Sequence, residues 1–293
     1  MFAAGGKIAE VTLDQLYLFP IKSCCGTNVS KWPVDGVTGK LKFDREFALI
    51  DAGGTAMRLN IYPAMALIKS EVNLENLTMT VSAPGKPDLV IDLRQTDCEE
   101  TTVTVCSAKC AATVFDDHAL YSEWFSSYLK VKCFLARNGE SNDKDSFANE
   151  APLLLLTRQS VERLNGTLRM QGKAGVSARH FRPNLVLNVV GGGGGDNPED
   201  SWTDIDIGGV LFEVTGKCQR CAMVDFDPTS GANNGSTLRA LSTFRREKSR
   251  IIFGVFVRRK PQTRCEQGEE GGVGGGFLAE GSKVQLITAD DEK

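Results

Sequence analysis

The chain lacks the features that would place it in a membrane, on nucleic acid or in a secretory pathway. Its best apolar run, residues 251–257, falls short of the roughly 18 residues that span a bilayer, and the N-terminus has no continuous apolar stretch. The formal net charge of -3 supplies no basic field for nucleic acid. We therefore expect a cytoplasmic protein with no membrane segment and no nucleic-acid partner, in which any anion site is local.

A regular cysteine framework is also lacking. Nine cysteines are scattered along 293 residues, an odd number at uneven spacings, whereas secreted disulfide frameworks are shorter, denser and even in number. We interpret all nine as reduced thiols. They are Cys24, Cys25, Cys98, Cys106, Cys110, Cys133, Cys218, Cys221 and Cys265.

Apolar and polar residues alternate with a period of two in many short segments, which predicts a strand-dominated α+β fold of the barrel or sandwich kind. The clearest predicted strands are residues 43–50, 89–93, 101–105, 203–207 and 210–214. Few segments show helical spacing. The predicted helices are 118–130, behind Asp117 as N-cap, 160–168 and 236–248.

The polar segment 138–149 separates two strand-rich halves. We predict one domain over residues 10–137 and a second over residues 147–289. The glycine runs 191–195 and 271–276 lack the GxxxxGK[ST] pattern of a phosphate loop, so we interpret them as loop expansions.

Cys218 and Cys221 bracket Arg220 just after a strand-like run. Thiolates bind soft metals and attack sulfur, and a nearby guanidinium stabilises the thiolate. The same spacing occurs in zinc sites, although no second C-x-x-C is present, and in thioredoxin-type dithiols, although a turn follows at 227–231. Incidental core cysteines are a third alternative, against which Arg220 argues because burying an unpaired guanidinium is costly.

Cationic residues recur at the ends of other predicted strands. They are Lys22 with Ser23, Arg45, Arg58, and Arg182 with Asn184. Arginine and lysine suit phosphate, and asparagine offers a donor and an acceptor to a heterocycle edge. Pro183 biases Arg182 toward an extended conformation. Each position alone is also typical of an ordinary solvated strand end, so the prediction of an anion site depends on their co-occurrence.

These segments occur in the order and at the spacing of the MOSC superfamily. The chain resembles that superfamily over about residues 11–287, and most closely the C-terminal domain of eukaryotic molybdenum cofactor sulfurase. The motifs that carry the resemblance are Phe19-Pro20-Ile21-Lys22-Ser23-Cys24, Asp44-Arg45-Glu46-Phe47, Phe181-Arg182-Pro183-Asn184, Glu199-Asp200-Ser201-Trp202, Ile207-Gly208, and Cys218-Gln219-Arg220-Cys221 with Asp227-Pro228 and Gly231.

The resemblance implies an N-terminal MOSC β-barrel domain followed by a MOSC β-barrel domain with a few peripheral helices. It implies that the chain binds the molybdenum cofactor (molybdopterin) and supports its sulfuration as a sulfurtransferase. Cys221 would be the molybdenum ligand or sulfur carrier, and Arg220 its electrostatic activator. The cofactor-binding positions implied are Lys22, Ser23, Arg45, Arg58, Arg182, Asn184 and Ser160.

Several departures from the family pattern bear on function. The pyridoxal-phosphate cysteine desulfurase half of full-length sulfurases is not in this sequence, so a separate desulfurase is the expected sulfur donor. The acidic-proline-leucine signature of amidoxime-reducing relatives is missing around residues 235–238, and residues 157–160 depart from the expected acidic loop. Two alternatives are a molybdenum-dependent reductase of N-hydroxylated compounds, supplied by an electron-donor protein, and a non-catalytic carrier or zinc-stabilised interaction module.

Overall fold

The structure is a computed structural model that describes residues 10–95, 99–106, 108–115, 119–139, 147–148, 150–191, 195–260 and 276–288. Its strands are β1 (Glu10–Leu18), β2 (Thr27–Asn28), β3 (Lys31–Pro33), β4 (Phe47–Asp51), β5 (Lys69–Asn73), β6 (Thr78–Ser82), β7 (Leu89–Asp92), β8 (Glu99–Val105), β9 (Ala108–Val114), β10 (Cys133–Asn138), β11 (Leu153–Thr157), β12 (Leu185–Val190), β13 (Trp202–Ile207), β14 (Val210–Gln219), β15 (Arg246–Glu247), β16 (Arg250–Arg259), β17 (Phe277–Ala279) and β18 (Val284–Thr288). Its helices are α1 (Leu120–Leu129), α2 (Arg158–Met170) and α3 (Thr237–Ser242), with 3₁₀ turns at Pro63–Leu67, Ala178–Phe181, Pro198–Ser201 and Ala222–Asp225.

The predicted strand-dominated α+β fold is confirmed. The third predicted helix is shorter than expected, because the chain after α3 turns into the hairpin of β15 and β16. Several predictions fall partly or wholly outside the described residues: the N-cap Asp117, Cys98, Cys265, most of the polar boundary segment and most of both glycine runs.

The largest sheet has nine strands and combines both halves of the sequence. Its order is β18-β13-β14-β16-β11-β12-β1-β2, with β15 paired to β16. The barrel expectation needs one correction, since the strand ladders formed by the described residues do not close. The sheet curls, however: Thr12 of β1 bridges to Lys283, and Leu13 accepts a hydrogen bond from Gly281 and donates one to Ser282. Strand β1 lies in the predicted first domain yet pairs with β12 of the second.

A second layer of smaller sheets belongs to the N-terminal half. Strands β4, β10, β9 and β8 form one sheet, and β5, β6 and β7 form another. Helix α1 packs between them, and its Phe125 is buried in the same apolar cluster as Phe47 and Phe115. Fully burying one such side chain contributes on the order of 2 kcal/mol, so this cluster fixes the N-terminal half.

The loop after β1 links the two layers and positions the site. Ile21 bridges to Phe47 of β4, and Cys25 bridges to Lys69 of β5. Lys22 lies between these two attachments, and its backbone N–H donates to the Phe47 carbonyl at 2.8 Å. The loop is therefore held at both ends, where the small sheets meet the large one.

Candidate functional site

One cleft lies where this loop meets the strands of the large sheet. Of the nine residues predicted for the site, all but Ser160 line it. The eight are Lys22, Ser23, Arg45, Arg58, Arg182, Asn184, Arg220 and Cys221. The structure thus gathers residues that are almost 200 positions apart in the sequence into one depression.

Arg45 is anchored from several sides. It has a left-handed backbone (φ 48°) in the turn before β4, and its N–H donates to Phe19. Its guanidinium pairs with the carboxylate of Asp44, which is buried, and donates to Asn184 Oδ1 and to the Arg182 carbonyl, both at 2.8 Å. These contacts fix the guanidinium beside the cleft, with its single positive charge paired to the Asp44 carboxylate.

Arg182 does not adopt the extended backbone that Pro183 favours. It lies in the left-handed region (φ 55°, ψ 46°), because it caps the 3₁₀ turn Ala178–Phe181 and its N–H donates to the Arg179 carbonyl. Its guanidinium donates to the Cys24 carbonyl and lies 4.5 Å from the centre of the Phe19 ring. Burial, followed by the charge of Arg45, lowers the pKa of Arg182 to about 10.

Lys22 points into the same positive cluster. Its Nζ donates to the Phe147 carbonyl at 2.9 Å. Burial is the largest cause of a pKa lowered to about 8, and the charges of Arg182, Arg45 and Arg58 add to it, while Cys106 acts in the opposite direction. The cluster thus holds more positive charge than its surroundings neutralise, as expected of a site that binds an anion.

Arg58 completes the cationic wall of the cleft. The residue is exposed, and among the described residues its guanidinium has no hydrogen-bond or ion-pair partner. Its donors are therefore available to a ligand, unlike those of Arg45.

Asn184 has a different role from the one that the sequence suggested. Its Oδ1 accepts from Arg45 and from the Leu154 N–H at 3.2 Å, and its Nδ2 donates to the Tyr17 carbonyl at 3.2 Å. With its amide engaged in this way and almost fully buried, Asn184 orients Arg45 rather than offering a free edge to a heterocycle. Ser23, also buried, lines the cleft from a left-handed turn (φ 66°).

The two cysteines of the C-x-x-C segment differ in environment. Cys218 is buried at the end of β14, whereas Cys221 is exposed at the start of the 3₁₀ turn Ala222–Asp225, and both line the cleft. Arg220 Nη1 donates to Cys218 Sγ at 2.9 Å, and its Nη2 donates to the Phe181 carbonyl at 2.7 Å. The contact expected between Arg220 and Cys221 is thus made to Cys218 instead.

The thiol of Cys218 stays suited to a structural role despite this contact. Burial raises its pKa, and Arg220 opposes the shift without reversing it. Among the thiols of the C-x-x-C segment, Cys221 is therefore the accessible one.

Ser160 lies away from the cleft. It is fully buried near the start of α2, where its hydroxyl donates to the Glu199 carboxyl at 2.6 Å and accepts from Asn197 Nδ2 at 2.8 Å. Thr157 donates to the same carboxyl at 2.7 Å, and burial raises the pKa of Glu199. This network attaches the Pro198–Ser201 turn to α2, so we leave Ser160 out of the site.

Sequence reasoning missed several residues of the cleft. Cys106 lines it from the tight turn between β8 and β9, with φ at 47°, and Phe147, Glu150, His180 and Met223 also line it. The sequence signals that could have found them were the proximity of His180 to Arg182 and of Met223 to Cys221. Cys106 lies in the first predicted domain and Phe147 at the very start of the second, both far from Cys221 in the sequence, so no local pattern could have related them to Cys221.

The described residues hold no group of three or more His, Cys, Asp or Glu side chains that could bind a metal ion on their own. At Cys221 the described residues would thus offer a metal a single thiolate, which suits a metal whose other ligands come from a bound organic group. Across the same part of the chain, no helix is both long and apolar enough to cross a membrane.

Comparisons with known proteins agree with this architecture. The family model of the MOSC N-terminal beta barrel domain matches residues 10–132, and that of the MOSC domain matches residues 142–283. Among curated relatives, molybdenum cofactor sulfurase of Oryza sativa subsp. japonica is 28% identical over 96% of this chain and 36% of its own length. Those of Solanum lycopersicum and Homo sapiens are 30% and 27% identical, over 87% and 86% of this chain and 34% and 30% of their own.

The chain spans about a third of the length of these relatives. Among solved structures, YUAD protein from Bacillus subtilis aligns over 96% of this chain and 97% of its own, with 10% identity and a TM-score of 0.42. The two family models together account for most of the sequence, in the order MOSC N-terminal domain and then MOSC domain. The chain therefore belongs to the family of MOSC-domain proteins.

Proposed function

We propose that this chain binds the molybdenum cofactor in the cleft and supports its sulfuration, as a sulfurtransferase in which Cys221 is the working thiol. The observation that carries the proposal is the convergence in one cleft of an exposed thiol with a cationic cluster whose lysine has a lowered pKa. The names of the curated relatives supply the cofactor.

The donor set fits a phosphorylated pterin that carries molybdenum. Arg58, Lys22 and Arg182 present positive charge to a phosphate, and Arg58 has its donors unused within the described residues. Arg45 adds charge but is held by Asp44 and Asn184, so it shapes the wall of the cleft. When bound, the cofactor would supply the metal that receives the sulfur.

The residues of the chain would then act in sequence. Lys22 and the arginines would hold the phosphate and so orient the cofactor toward Cys221. Cys221, as thiolate, attacks the outer sulfur of a persulfide on a partner desulfurase, forming a new S–S bond as the bond to the partner's cysteine breaks, and that cysteine leaves as a thiolate. Cys218 stays out of the exchange because Arg220 and the strand hold it buried.

The test uses the chain produced in a host that makes the cofactor. We expect Cys221→Ser to lose transferable sulfur. It should also retain the pterin less well, because the cationic wall of the cleft remains but the sulfur ligand to the metal is lost. Cys110→Ser is the matched control, because Cys110 is a buried thiol of β9 outside the cleft. Sulfur content and pterin content equal to wild type in Cys221→Ser would refute the assignment.

A further inference from the structure

A second thiol, Cys25, lies in a cavity separate from the cleft. Its N–H donates to the Ile68 carbonyl at 2.9 Å, so its position is set by the attachment of the loop to the small sheets. Its side chain lines two adjoining cavities, and Cys221 lines neither. No motif in the sequence distinguishes Cys25 from its neighbour Cys24.

The thiol of Cys25 is in contact with an arginine. Arg179 Nη2 lies 2.7 Å from Cys25 Sγ and 3.3 Å from the Gly26 carbonyl. A guanidinium at this distance stabilises negative charge on the sulfur, and the thiolate is the form that attacks other sulfur atoms. Cys25 is itself buried, with 5% of its surface exposed. Cys24 differs in lying in the apolar core with no exposed surface, and burial raises the pKa of its thiol far above the ordinary range.

The larger of the two cavities, about 330 Å³, is suited to a small anion. Two cations, Arg179 and Lys69, line it with the hydroxyl residues Ser82 and Thr229, and no carboxylate is among its lining residues in the described chain. Positive charge near a thiol favours anionic sulfur compounds over neutral ones.

The smaller cavity, about 20 Å³, shares lining residues with both sites. It shares Cys25, Arg179 and Pro228 with the larger cavity, and it shares His180, Arg182 and Met223 with the cleft. Cys25 thus lies between an outer cavity lined by two cations and the inner cleft. The smaller cavity has room for about one water molecule.

We propose that Cys25 and Arg179 form a sulfur-acceptor site for a small anionic sulfane-sulfur compound, of which thiosulfate is the simplest. Cys25 thiolate attacks the outer sulfur of thiosulfate. A Cys25–sulfur bond forms, the original S–S bond breaks, and its electron pair leaves with sulfite, so no other oxidant or reductant is needed. Arg179 stabilises the thiolate before attack and the persulfide anion afterwards, and Lys69 attracts the donor. Uptake itself needs no cofactor; only the onward use of the sulfur rests on the proposed function.

The experiment treats the reduced, cofactor-free chain with thiosulfate, alkylates it and measures the mass of each cysteine-containing peptide. We expect a gain of one sulfur atom on the Cys25 peptide, lost in Cys25→Ser. Arg179→Gln should slow this gain about tenfold or more, since a hydrogen bond to a charged group is removed, and Arg179→Lys should restore part of the rate. Arg169→Gln, an exposed arginine of α2 outside both cavities, is the matched control and should react as wild type does.

Two results would overturn the proposal. One is sulfur gained on the exposed Cys106 or Cys221 with none on Cys25. The other is a rate of sulfur gain on Cys25 that is unchanged in Arg179→Gln. Because Arg179 is half-buried, the folding of this variant is checked by its melting temperature. Neither result concerns the pterin content of the chain. A failure of the Cys25 proposal is therefore distinguishable from a failure of the proposed function.

Discussion

The lowered pKa of Lys22 leads to an unusual prediction, namely that removing this residue stabilises the free chain. Replacing Lys22 by Met takes one charge out of a buried cluster that includes Arg182, Arg45 and Arg58. A pKa lowered from 10.5 to about 8 corresponds to a cost of about 3 kcal/mol for keeping Lys22 charged in the folded state. The variant also loses the hydrogen bond from Nζ to the Phe147 carbonyl, which costs about 1 kcal/mol.

Lys22→Met should therefore be more stable than wild type by about 2 kcal/mol near pH 7. The sign of the pH dependence follows from the two protonation states. Between about pH 8 and 10.5 the unfolded chain keeps the Lys22 proton and the folded chain has lost it, so the wild type gains stability as the pH rises. The advantage of the variant should shrink to near zero at about pH 10, where the folded lysine is neutral.

Urea unfolding of both proteins at the two pH values measures the difference directly. The matched control is Lys173→Met, an exposed lysine beyond α2, which should change stability little at either pH. A Lys22→Met variant that is less stable than wild type at neutral pH, by an amount that does not vary with pH, would refute the account of the cationic cluster.

Two further predictions concern the cleft and the core. Arg58→Gln should weaken the binding of inorganic phosphate or a phosphorylated pterin several-fold without changing the melting temperature, because Arg58 is exposed and has no partner among the described residues. Titration calorimetry measures the change in affinity. The control is Arg94→Gln, a variant of an exposed arginine outside the cleft. Gly254→Ala should cost about 3 kcal/mol or more of unfolding free energy, since φ is 78° and an added Cβ would lie 2.3 Å from Leu156 Cδ2 and 2.8 Å from the Leu155 carbonyl. Gly172→Ala has a similar φ of 68° but nothing near its Cβ, so a loss as large as that of Gly254→Ala there would contradict the packing argument.

The fold was readable from the sequence where the pattern was local. Period-two alternation located β7, β8, β13 and the first half of β14, and helical spacing located α1 and α2. The end of α3 was not readable, because pairing between β15 and β16 overrides the helical pattern that continues beyond Ser242. The pairing of β1 with β12 could not be predicted from local sequence patterns either, because it joins residues far apart in the chain.

The membership of the site was predicted better than the partners within it. Motif order grouped Lys22, Arg182 and Cys221 into one set, and all three line the same cleft. What each side chain contacts depends on tertiary packing. Asn184 accepts a hydrogen bond from Arg45, and Arg220 donates one to Cys218. Buried amide and guanidinium groups bond to whichever side chains and carbonyls the fold places beside them.

The most direct test of the central claim is the molybdenum and pterin content of the chain made in a cofactor-producing host. The account predicts about one pterin per wild-type chain, accompanied by molybdenum, and a large loss of both in the double variant Lys22→Met with Arg58→Gln, which removes two cations of the phosphate clamp while leaving Cys221 in place. A wild-type chain without pterin, or a double variant that retains as much as wild type, would contradict it.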